Sequence, residues 1–151
     1  MDDLGGADVN ACSFCGIAAK QAEAVVLCED DEVMAFLDTS PIRRGHSHII
    51  PKQHFATFDV MPPALAGRII ALGQELARRL KATYKVERVA FLFTGGDVAH
   101  AHAHLIPMHE KTDVTSARYI LNTEALHWSA AHLLADRESL LAAKAELGFE
   151  T

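Results

Sequence analysis

The sequence is short of positive charge: 14 Lys and Arg stand against 20 Asp and Glu, a net charge of -6 with histidine neutral. A phosphate-backbone binder needs clustered cations that release counterions, so no nucleic-acid partner is expected. The basic knots, Arg43-Arg44 and Arg78-Arg79-Lys81, read as solvated surface or helix ends. The chain also lacks a run of about 18 apolar residues that could span a bilayer. Its opening "MDDLGGADVN" is acidic and has no apolar core, unlike a secretory signal. The expectations are no membrane partner and a cytoplasmic location. Cysteine is scarce and odd in number: Cys12, Cys15 and Cys28 suggest no disulfide framework and suit a reducing compartment.

What is present suits one domain with a core and a cleft, since half of the 151 residues are hydrophobic. Residues 1–10 read as a flexible tail and 11–151 as the domain, with a C-terminal helical extension over 116–148. "AVVLCED" at 24–30 and "EVMAFLD" at 32–38 predict a hairpin, and "HSHIIP" at 46–51 a third strand closed by Pro51. From Pro62-Pro63 the period becomes helical, with Leu65, Ile69, Leu72, Leu76 and Leu80 on one stripe. "ERVAFLF" at 87–93 is a strand, Gly95-Gly96 a turn, and "VAHAHAHLI" at 98–106 the returning strand. Residues 123–147 predict a second helix, with Leu126, Leu133, Leu134, Leu140 and Leu141 apolar. The sum is an α+β domain: an antiparallel sheet of about five strands, one long central helix and a C-terminal helix.

His100, His102 and His104 alternate with alanine, and on a strand their rings emerge on one face while Ala99, Ala101 and Ala103 leave the other flat. Neighbouring rings would lie about 6.6 Å apart and the outer two about 13 Å. Zinc–nitrogen bonds are only about 2.0–2.1 Å, so a straight strand cannot wrap three rings around one ion. The row can instead divide its work, because an imidazole titrates near neutrality and one ring can be a neutral nucleophile while another carries charge. The plainer reading is three hydrogen-bonded histidines on a polar face.

"HAHAHLI" at 100–106 resembles the His-x-His-x-His signature of the histidine triad (HIT) superfamily. The resemblance runs over about residues 12–109, through "CSFCGI" and "CEDDEVMAFLDTSPIRRGHSHIIPKQH", and is greatest to the bacterial nucleotide-binding branch. It implies a HIT-like fold, a homodimer, and a hydrolase or transferase acting at the α-phosphate of a purine nucleoside phosphate derivative, such as a phosphoramidate. By similarity His102 is the nucleophile that forms a nucleotidyl-histidine, and His104 contacts the phosphate and assists the leaving group. The similarity also implies that His46 completes the polar floor and that Asp38 accepts from the ribose hydroxyls. Phe14, Ile17, Phe36 and Leu37 are candidates for the base slot. Gly96, Asp97 and Val98 stand where relatives contact phosphate, but Gly96 and Asp97 replace the usual hydrogen-bond donors. A second departure is His48, where relatives usually have an apolar residue; it is read as pointing to solvent.

Cys-x-x-Cys alone is a weak signal, and two thiolates need two further ligands to close a tetrahedral zinc site. Bacterial relatives supply them from positions that map to His54 and His100, so Cys12, Cys15, His54 and His100 imply a structural zinc, with no organic cofactor. His100 thus joins the catalytic triad in sequence while serving the metal. Three rival readings remain: a dinucleoside polyphosphate hydrolase with the same triad, a non-enzymatic nucleotide-binding adaptor, and a metal-dependent enzyme using His46 and His48 as ligands.

Overall fold

The computed structural model describes residues 12–95, 98–114 and 133–150. Its elements in chain order are α1 (Ser13–Ala18), β1 (Val26–Glu29), β2 (Val33–Leu37), β3 (Ser47–Pro51), α2 (Pro63–Tyr84), β4 (Arg88–Phe93), β5 (Ala103–Met108) and α3 (Arg137–Glu146). The strands form one antiparallel sheet in the order β1-β2-β3-β5-β4, the α+β architecture expected. No helix among the described residues is long and apolar enough to cross a membrane.

Strand alternation sorts the side chains onto two faces. Val33, Ala35, Leu37, Ile49, Ala103 and Leu105 join Ile69, Leu76 and Leu80 of α2 in the main core, which Leu140 and Ala143 of α3 complete. Met34, Phe36 and Ile50 face the other way and pack with Phe14 and Ile17 of α1. The helix α2 starts at proline, whose missing N–H has no intrahelical partner at that position. Its Gly73 lets the helix lie close to β4: a Cβ there would come within 2.5 Å of the Phe91 ring.

Three expectations change. The strand β5 begins at Ala103 and the described residues 98–102 ahead of it are not in a strand, so the returning strand is shorter than the 98–106 expected, although Gly95 has the expected positive φ of 63°. The helix predicted over 123–147 is not continuous: residues 134–136 are not helical, and α3 starts afresh where Asp136 accepts the Ser139 N–H at 2.7 Å. That cap offers the backbone a helix start where leucine periodicity suggested continuation. Its stretch 123–132, like the tail 1–10, lies outside the described residues. Third, Arg43 and Arg44 are not merely solvated. Arg43 pairs with Asp113 at 2.8 Å, and Arg44 holds Glu146 of α3 at 2.7 Å.

Candidate functional site

The face opposite α2 carries a cross-strand row: Phe36 opposes His48, His48 opposes His104, and His104 opposes Leu92. Of the triad only His104 lies in a strand; His100 and His102 sit in the segment before it. Alternation nevertheless persists, since Ala101 and Ala103 turn into the main core. Ala99, expected on that flat face, is exposed. The triad histidines part company: the rings of His102 and His104 lie 4.8 Å apart, while His100 turns toward Cys12 and Cys15.

Cys12, Cys15, His54 and His100 form a tetrad whose ligand atoms all lie within 4.8 Å of one another. Cys15 Sγ is 3.2 Å from His54 Nδ1, and His100 Nδ1 is 3.5 Å from both sulfurs. Tetrahedral zinc bonded at about 2.3 Å to sulfur and 2.0–2.1 Å to nitrogen spaces its ligands by roughly 3.3–3.8 Å. The protons agree with that fit, because His100 Nε2–H donates to the Pro51 carbonyl at 2.8 Å and leaves the Nδ1 lone pair facing the thiols. Burial, then the hydrogen bond and charge of Cys12, push the Cys15 thiol up to about 11. A divalent cation between the sulfurs would reverse that balance.

A second tetrad, Asp38, His46, His48 and His104, also lies within 4.8 Å. Its protons are arranged differently. The Ile42 N–H donates to His46 Nδ1 at 3.1 Å, so the neutral ring carries its proton on Nε2. That proton points at His104 Nδ1, 3.0 Å away, and fixes the His104 proton on Nε2, where Thr94 Oγ1 lies at 3.2 Å. Burial pushes His46 down to about 4, and burial followed by the charges of His48 and His46 pushes His104 down to about 3. Both rings are therefore neutral at pH 7. His102 has the complementary tautomer: its Nδ1–H donates to the His100 carbonyl at 2.6 Å, which leaves the lone pair on Nε2.

Asp38 stands at the end of β2, accepting the Ser40 N–H on Oδ1 at 2.7 Å and His48 Nε2–H on Oδ2 at 2.6 Å. Burial would raise its carboxyl, but the hydrogen bond and charge of His48, then His46, hold it well below the usual carboxylate range. Phe14 and Phe36 meet edge-on at 5.4 Å beside His48, and Phe14 lies 5.0 Å from the His102 ring, with Ile17 on the same cluster. Leu37 does not join them: it is 1% exposed in the main core, because adjacent strand residues face opposite sides. Val98 is half-buried in the link ahead of the triad, and Gly96 and Asp97 lie outside the described residues. His48 overturns the solvent-facing reading, being 6% exposed and stacked on Phe36 at 5.3 Å. Its signal was in the sequence, since His46 and His48 share a face at a two-residue interval. Nothing local marked Ile42 or Thr94.

The HIT domain family matches residues 19–111, most of the chain. The chain belongs to the HIT family. This HIT protein is 34% identical over 101 residues to an uncharacterized HIT-like protein of Mycobacterium tuberculosis, covering 64% of this chain and 70% of the relative. It is 33% identical over 102 residues to the adenosine 5'-monophosphoramidase HNT1 of Saccharomyces cerevisiae, covering 67% and 65%. With the adenylylsulfatase HINT3 of Arabidopsis thaliana it shares 31% over 107 residues, covering 68% of this chain and 54% of that one. A zinc-bound histidine triad family protein from Mycobacterium smegmatis has the same fold, with a TM-score of 0.67, 27% identity and coverage of 92% and 94%. Nucleotide hydrolase activity is thus supported for the family to which this HIT protein belongs.

Proposed function

We propose that this HIT protein hydrolyses or transfers the nucleotidyl group of a purine nucleoside phosphate derivative, a phosphoramidate in particular, through a covalent nucleotidyl-His102. The observation that carries this reading is the His102 tautomer, with Nδ1–H held by the His100 carbonyl and the lone pair on Nε2. His102 Nε2 attacks the α-phosphorus as the bond to the leaving group breaks, and water then cleaves the phosphorus–nitrogen bond to release the nucleoside monophosphate. His104 Nε2–H, now shared with Thr94 Oγ1, is a neutral hydrogen-bond donor to a phosphate oxygen; His46 holds that proton in place, and the departing amine takes its proton from solvent water. Asp38 accepts from the ribose hydroxyls, and Phe14, Ile17 and Phe36 form the apolar base slot. Gly96, Asp97 and Val98 are assigned to the phosphate by their place ahead of the triad in the sequence.

The Cys12, Cys15, His54 and His100 set would hold zinc as a structural tie between α1 and the triad segment; bound there, the ion supplies rigidity and no chemistry. A cytoplasmic location keeps both thiols reduced. A homodimer suits β4, an edge strand of this sheet with Phe91 exposed, and Ile70 exposed on α2. Sedimentation at micromolar concentration should give twice the chain mass. The test of function is a side-by-side panel of an adenosine phosphoramidate, adenylyl sulfate and a dinucleoside polyphosphate. Release of AMP from the phosphoramidate with an adenylyl mass on the histidine peptide is expected. Equal turnover by His102→Ala would sink the nucleophile.

A further inference from the structure

The side chain that the proposed chemistry leaves unused is His48, a buried histidine bonded to the carboxylate assigned to ribose. A site that binds a substrate hydroxyl rejects the analogue lacking it when its own polar groups are then stranded without a partner. Asp38 is not stranded. Its Oδ1 already accepts the Ser40 N–H and its Oδ2 the His48 Nε2–H, with His46 Nε2 a further 3.5 Å away. The bond at 2.6 Å is a charge-assisted one, and the stacking of His48 on Phe36 holds the donor still.

We propose that His48 is a specificity-determining residue, an internal donor that satisfies Asp38 and makes the site tolerant of sugars that lack a ribose hydroxyl. This rests on the assignment of Asp38 to the ribose. Each carboxylate oxygen keeps a lone pair for a diol, so a 2'-hydroxyl adds one ordinary hydrogen bond, and its loss forfeits only that bond. The same four side chains could be read as a metal site, but the proton inventory opposes it. A cation on His46 Nε2 would force the ring proton onto Nδ1, where it would face the Ile42 N–H donor.

Calorimetric titration with AMP and 2'-deoxy-AMP tests this on the wild-type protein, on His48→Leu and on His48→Gln, each checked for folding by circular dichroism. The wild type should bind the two nucleotides within about tenfold of each other. His48→Leu, which strips Asp38 Oδ2 of its donor, should widen the ratio at least tenfold. His48→Gln, whose amide can still donate to Asp38, should narrow it again. A wild-type preference for AMP beyond a hundredfold, or a ratio unchanged in folded His48→Leu, would overturn the proposal while leaving the nucleotide site standing. Failure of the folded wild type to bind either nucleotide would overturn both. Should His48→Leu fail to fold, the wild-type ratio and the His48→Gln ratio still decide.

Discussion

Two tetrads of ligand-type side chains in this protein promise opposite behaviour. In Cys12, Cys15, His54 and His100, and again in Asp38, His46, His48 and His104, the ligand atoms all lie within 4.8 Å of one another. What separates them is where the protons are. In the first, Pro51 takes the His100 proton and turns its lone pair toward two thiols. In the second, the Ile42 N–H sets a relay that fills the gap between the rings with a proton. Proximity of ligand-type side chains therefore makes neither a metal site nor an active site; the hydrogen bonds on the far side of His100 and of His46 decide between them.

The comparison is broken most severely at the link between the tetrads, His102. His102→Ala should lower turnover by at least about a thousandfold while nucleotide still binds, as measured by single-turnover assay and titration. Loss of binding and turnover together would make His102 a structural residue.

Acid should disturb the second tetrad. The folded pKa of His46 lies near 4, below the unfolded value near 6.5, because burial disfavours the cation. Its contribution to stability is full above about 6.5 and lost as pH falls toward 4, since there the unfolded state binds the proton that the folded state refuses. The cost approaches about 3 kcal/mol by pH 4, at 1.36 kcal/mol per pKa unit. Urea titrations at pH 7, 5.5 and 4.5 check this, and stability unchanged across the window would show that His46 does not enter the fold neutral.

Removing the relay's first ring is the next largest effect. His46→Leu should slow turnover of the phosphoramidate and of a nucleotidyl fluoride alike, by about a hundredfold, because it releases the His104 donor that faces the phosphate oxygens of both. Turnover unchanged on both substrates would deny His46 its role in holding the His104 proton. Thr94→Val, at the relay's outer end, should cost less than about tenfold, read as kcat on the same phosphoramidate; a larger loss would give Thr94 a role beyond accepting from His104.

Much of this was legible in the chain. The period of Leu65, Ile69, Leu72, Leu76 and Leu80 marks α2, short apolar runs mark β1, β2 and β4, and alternating histidines mark β3 and β5. The triad and the cysteine pair pointed to their tetrads because each motif is local. Leu37 and His48 were misplaced for a common reason, parity: Phe36 and Leu37 cannot face the same side, and His48 must follow His46 inward. Two features were not legible. The start of β5 at Ala103 coincides with the end of β4 at Phe93, its cross-strand partner, although β3 runs on past Ile49 to Pro51. The relay depends on the Ile42 backbone N–H, which a loop brings to His46 and no side-chain pattern announces.

Zinc content per chain tests the distinction between the tetrads most directly. Protein purified without chelator should carry one equivalent, which Cys15→Ala removes and His48→Leu leaves in place. Two equivalents in the wild type, or one that disappears with His48→Leu and survives Cys15→Ala, would contradict the account.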